Sequence, residues 1–142
     1  MRVLTGRSPS ASDDAWVETV YAADASPWLR VNMVSTVDGA GTGIDGRSGS
    51  INNEADHRVF RVLRRLADAV VVGAGTAQAE GYRPGATPIV VVTGRGRLPE
   101  RLLGAEQGQV LMVTCAAAPG LDAARDALGA DNVVVKIGRA HV

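Results

Sequence analysis

The sequence predicts an α/β layer fold built on a largely parallel sheet. Three observations carry that expectation. Apolar runs at residues 69–72, 88–92, 110–114 and 133–135 show no polar alternation. Such runs suit strands covered on both faces, which belong inside parallel sheets. Stretches with helical apolar spacing separate the runs, and turn residues rich in Gly, Pro and Asn punctuate the joints, as repeated strand-helix-strand crossovers require.

At 142 residues the chain is one domain's worth of sequence, long enough to bury a sizeable core. Hydrophobic residues make up 46% and charged residues 21%, and Lys+Arg 15 balance Asp+Glu 15. That balance argues against disorder and against any global attraction to nucleic acid, so a small-molecule substrate is expected. The single cysteine, Cys115, can form neither an internal disulfide nor a metal cluster, and no metal is expected. It closes an apolar run and is expected to pack as a small hydrophobe. No apolar run approaches the roughly 20 residues of a membrane span, and residues 1–12 lack a signal-peptide core. A soluble cytoplasmic protein is expected.

Residues 1–27 read as an N-terminal extension. Its first twelve residues are polar and loose, and a short helix follows, capped by Ser12, with Asp13 and Asp14 at its positive end. Trp16, Val20 and Ala23 form the apolar stripe of that helix. Residues 28–38 read as a strand with Leu29, Val31, Met33 and Val37 on a core face. Asn32, Thr36 and Asp38 stand on the other face, either as a pocket wall or as a solvated face ending in an ordinary Asp38-Gly39 turn. Glycines 39, 41, 43, 46 and 49 make the next stretch a linker or a lid.

Asn52 and Asn53 are good helix caps, and Ala55, Val59, Val62, Leu63 and Leu66 recur at helical spacing. Arg58, Arg61, Arg64 and Arg65 line its other faces, either as a solvated surface that compensates the helix C-terminus or, for Arg64 just before the glycine corner, to meet a phosphate; His57 reads as a surface or capping residue. After the strand at 69–72, Gly73-Ala74-Gly75-Thr76 is either a plain tight strand-to-helix connection or a corner where Gly73 and Gly75 let backbone approach a ligand closely and Thr76 caps a second short helix whose amides face an anion. The strand at 88–92 runs into Thr93-Gly94-Arg95-Gly96-Arg97, either a clamp for a phosphate monoester or a solvated basic turn. A helix at 121–128, entered by Pro119-Gly120 and closed by Gly129, joins the last two strands. Ligands of parallel sheets collect at the C-terminal ends of strands, where the polar features at 36–39, 73–76 and 93–97 all fall.

Taken together, the strand from Val31 to Gly39, the capped helix ending in Leu63-Arg64 and the run Asp68-Ala-Val-Val-Val-Gly-Ala-Gly-Thr76 resemble the pyrimidine reductase family of riboflavin biosynthesis. Order and spacing match from about residue 28 to residue 97. The resemblance implies a dihydrofolate-reductase-like three-layer fold with a mostly parallel central sheet. It also implies NADPH as cofactor, and reduction of the ribosyl imine of a phosphoribosylamino-pyrimidine to a ribityl chain. Carried over by position, Val34 and Ser35 touch the nicotinamide side through backbone, and Ser50, Gly73, Gly75, Thr76 and Glu80 lie against the cofactor. Thr93 meets the adenosine phosphate with Arg95 or Arg97 nearby. Ser48 and Arg64 hold the substrate, Arg64 by its phosphate, and Asp38 shapes the pocket between the two ligands. No catalytic acid is identified, and the intact protein is expected to be a homodimer that binds neither nucleic acid nor membrane.

Ser50-Ile51-Asn52 and Glu80-Gly81-Tyr82 depart from the family's usual Trp-Ile-Thr and Asp-Asp-Pro, as in its actinobacterial-type branch, and leave the reduced ring open. The family's second half has no counterpart after Lys136, so residues 28–136 read as a partial reductase domain. The tail 137–142 is what a common sequencing-adapter DNA encodes in one frame, and a non-native tail is expected. Two rivals stand beside the reductase: a nucleotide-binding module without turnover, and a pterin-type reductase on the same scaffold.

Overall fold

The computed structural model describes residues 14–23, 27–136 and 138. The Ser12 cap, the loose first residues and most of the tail lie outside these. The chain forms two compact units, Met1–Ala67 and Asp68–Val142.

In the first unit, α1 (Asp14–Val20) packs on α2 (Glu54–Leu66). Asn53 caps α2, its side chain accepting from the Asp56 amide at 3.0 Å. Glu54 and Asp56 in the first turn and Arg64 and Arg65 in the last complement the helix dipole. Val17, Val59 and Val62 form the buried seam, flanked by Trp16, Tyr21 and Leu63. The stripe on α1 is thus centred on Val17, while Val20 and Ala23 are exposed. Arg58 donates to Asp14 at 2.7 Å, and Arg65 pairs with Glu18.

The strand expected at 28–38 does not form; this stretch is irregular and ends in a turn. Leu29, Val31 and Met33, expected in the core, are 84%, 75% and 79% exposed. The alternation is that of a strand, but a strand exists only where a neighbour offers open N–H and C=O groups. Within its unit the segment's regular neighbours are helices, whose backbone groups are already used.

The second unit holds a four-stranded parallel sheet in the order β1 (Val70–Gly73), β2 (Ile89–Val92), β3 (Val110–Thr114), β4 (Val133–Val135). Helix α3 (Ala74–Ala79) follows β1, and α4 (Leu121–Leu128) joins β3 to β4. Registers such as Val72↔Val91, Val91↔Met112 and Met112↔Val133 line one face with buried side chains. The opposite face is less covered than the unalternating sequence implies. Val71, Val92 and Val134 are exposed there, and Val90 and Leu111 half-buried. Among the described residues no helix is long and apolar enough to cross a membrane.

Candidate functional site

In the second unit, β1 and β2 are adjacent and parallel, so their C-terminal ends lie side by side. A cavity of about 540 Å³ opens there, lined by Gly73, Gly75 and Gln78 from the β1–α3 corner and by Thr93, Arg95 and Arg97 from the turn after β2. That volume falls within the usual range for small-molecule sites. A Cβ added at Gly73, Gly75 or Gly94 would meet nothing within 4 Å, so each backbone is open to a ligand at close range.

The corner differs from its sequence reading in one respect. Gly73, in extended backbone, is the N-cap, and Thr76 is the third residue of α3. With Gly73 in place of Thr76 as the cap, the helix begins three residues earlier. Thr76 and Glu80 stand on or beside α3 and do not line the cavity; Gln78 does, and its signal in the sequence is its place one turn after Gly75.

The turn after β2 is tightly built. Thr93 is buried, and its hydroxyl accepts from the Arg95 amide at 3.2 Å, which leaves its O–H free to donate. Among the described residues, ion pairs engage Arg58, Arg65 and Arg125, and neither Arg95 nor Arg97 is in one. Both are exposed. Three consecutive carbonyls of the turn are consumed internally. Thr93 O accepts from the Thr114 hydroxyl at 2.6 Å, Gly94 O from the Cys115 thiol at 3.6 Å and Arg95 O from the Gly120 amide at 3.0 Å. What the turn offers a ligand is therefore weighted toward donors and positive charge, which suits an anion.

The remaining expected site residues fall in the first unit. Thr36 to Ala40 is a side-chain-closed turn. The Thr36 hydroxyl donates to the Asp38 carboxylate and accepts from the Ala40 amide at 2.9 Å, and Gly39 takes φ +90. The Thr36 hydroxyl, and then the backbone amides of the turn, hold the Asp38 carboxyl below its ordinary value. Asp38-Gly39 is therefore part of a turn, and it follows irregular backbone, not a strand. Val34 and Ser35 lie in that irregular backbone.

The glycine-rich loop is ordered by a second hub. Asp45 Oδ1 accepts from the Ser50 hydroxyl at 2.7 Å and from the Arg47 amide at 3.1 Å, and these bonds, led by Ser50, depress its pKa. Arg47 O lies 2.9 Å from Ser50 Oγ as a second acceptor for its single proton, so the hydroxyl expected at the cofactor is engaged within its own loop. Gly43 is required there, since a Cβ would lie 1.9 Å from Ser50 Oγ. Ser48, half-buried, sits in the single 3₁₀ turn that closes the loop. Arg64 is half-buried in the last turn of α2, and His57 is exposed on the same helix.

No curated protein sequence matches the chain. A crystal structure of a pyrimidine reductase-like protein from Corynebacterium diphtheriae is similar to it, with a TM-score of 0.53 and 23% identity. The match covers 72% of this chain and 51% of that one. The chain thus spans about half the length of that structure, whose fold is dihydrofolate-reductase-like. A model of the RibD C-terminal domain matches residues 27–134, and through these residues the chain belongs to that family, the riboflavin-pathway reductases that its motifs resemble.

Proposed function

We propose that the protein is an NADPH-dependent reductase of a phosphoribosylamino-pyrimidine. The observation that carries this reading is the cavity at the paired ends of β1 and β2, lined by open glycine backbone and by two guanidiniums that join none of the ion pairs among the described residues. Those groups fit a dinucleotide that carries an extra phosphate monoester. Gly73 and Gly75 would admit its backbone-facing edge, and the Thr93 hydroxyl with Arg95 and Arg97 would hold the monoester. When bound, the nicotinamide supplies the hydride. The chain's own work is placement, because a reacting imine carbon must be held within about 3–3.5 Å of the donor. Val34, Ser35, Ser50, Thr76 and Glu80 are proposed as further cofactor contacts, and Asp38, Ser48 and Arg64 as substrate contacts. The intact protein is proposed to be a cytoplasmic homodimer.

The test is a fluorescence titration of the chain with NADPH and with NADH, followed by loss of 340 nm absorbance on addition of the phosphorylated pyrimidine. Saturable binding that prefers NADPH, with consumption on adding substrate, is the expected result. Absence of any preference would sink the cofactor assignment. A second reading, nucleotide binding without turnover, draws on the irregular backbone at Val34 and Ser35, and it predicts the binding without the consumption.

A further inference from the structure

We propose that Thr114 is a positioning residue for phosphate recognition, acting through the turn after β2; this rests on the NADPH reading above. Thr114 ends β3 and is fully buried, an unusual place for a hydroxyl. Its hydroxyl donates to Thr93 O across the β2–β3 boundary at 2.6 Å, a geometry that satisfies both buried groups. The chain that follows repeats the contact. Cys115 donates to Gly94 O, and the Gly120 amide donates to Arg95 O.

The two segments also meet backbone to backbone. A Cβ on Gly96 would lie 2.9 Å from Gly120 C, and one on Gly120 would lie 2.5 Å from Gly96 O. Gly96, at φ +67, makes the bend that carries the chain from Arg95 to Arg97. The turn therefore has little freedom of its own, and the residues at 114–120 set where its two guanidiniums start. Preorganised donors bind an anion without first losing conformational entropy, and long arginine side chains lose that advantage when their backbone shifts. Thr114 does this from the far side of the turn: it is not among the cavity-lining residues. It acts on the monoester while leaving the rest of the dinucleotide untouched.

The experiment compares binding of 2′,5′-ADP, which carries the additional 2′-phosphate monoester, with binding of 5′-AMP, which has the 5′-phosphate alone, by calorimetry on the 142-residue chain. Thr114→Val keeps the shape of the side chain and removes the donor. It should weaken 2′,5′-ADP binding about tenfold and shift 5′-AMP binding by less than about twofold. Should the valine variant fail to fold, Thr114→Ser and Thr114→Ala differ by the hydroxyl alone, and only the serine chain should keep the wild-type preference. Equal weakening of both nucleotides, or none, overturns the positioning role and leaves the cofactor reading standing. A wild-type chain that does not distinguish the two nucleotides overturns both.

Discussion

At single positions, the clearest separation of stability from binding is at Gly75. It lies inside α3, where glycine costs up to about 1 kcal/mol relative to alanine, and nothing stands within 4 Å of a Cβ placed there. Gly75→Ala should raise the thermal midpoint while weakening NADPH binding several-fold. A more stable chain with unchanged affinity would show that no ligand approaches that backbone. Gly43 is the opposite case. Its Cβ would collide with Ser50 Oγ, so Gly43→Ala should break the Asp45–Ser50 hub and expose the Arg47–Ser48 bond. Limited trypsin digestion should then cut at Arg47 markedly faster than in the wild type. The glycine count at 39–49 marked this loop in the sequence. Its order was not legible there, because it depends on one carboxylate and one hydroxyl five residues apart finding each other.

Among the elements, those whose signals are local were legible and those that need a partner were not. The strands Val110–Thr114 and Val133–Val135 and the helix Leu121–Leu128 stand where their apolar runs and turn residues put them. The stretch 28–38 has an equally good pattern and forms no strand, since alternation specifies a face and only a ladder makes a strand. In the candidate site, the glycine corner and the basic turn were legible as motifs. Gln78 and the carbonyl ties from 114–120 were not, because they follow from how elements pack. The sheet's core rests on Ile89, fully buried in β2. Ile89→Ala should cost about 2–5 kcal/mol in denaturant unfolding, and Ile89→Val about 0.5–1.5 kcal/mol. The α1–α2 pair should respond to acid. The Arg58 hydrogen bond holds the Asp14 carboxyl below its ordinary 3.8. A depressed carboxylate stabilises fully above its unfolded value and loses that contribution as pH falls through the folded one. Docking of α1 should therefore be unchanged down to about pH 4 and loosen below it. Amide chemical shifts of α1 should report this, and Asp14→Asn should flatten the response.

Over the molecule as a whole, two groups stand out among the exposed apolar side chains of the described residues, the stretch holding Leu29, Val31 and Met33 and the sheet face holding Val71, Val92 and Val134, while Val20, Ile44, Leu66 and Leu103 are exposed elsewhere. Parallel sheets are ordinarily covered on both faces, and edge strands without charge invite pairing. Concentration-dependent association is expected in sedimentation velocity. Met33→Lys and Val71→Lys should each reduce it while changing stability by no more than about 0.5 kcal/mol. Association that survives the double substitution would place the sticky surface elsewhere. The order of the sheet bears on how this unit is made. Every ladder joins strands that are consecutive in the chain, their partners roughly twenty residues apart. Each strand can therefore dock on a finished template as it leaves the ribosome, so the unit can assemble vectorially, without waiting for a distant segment to be synthesised.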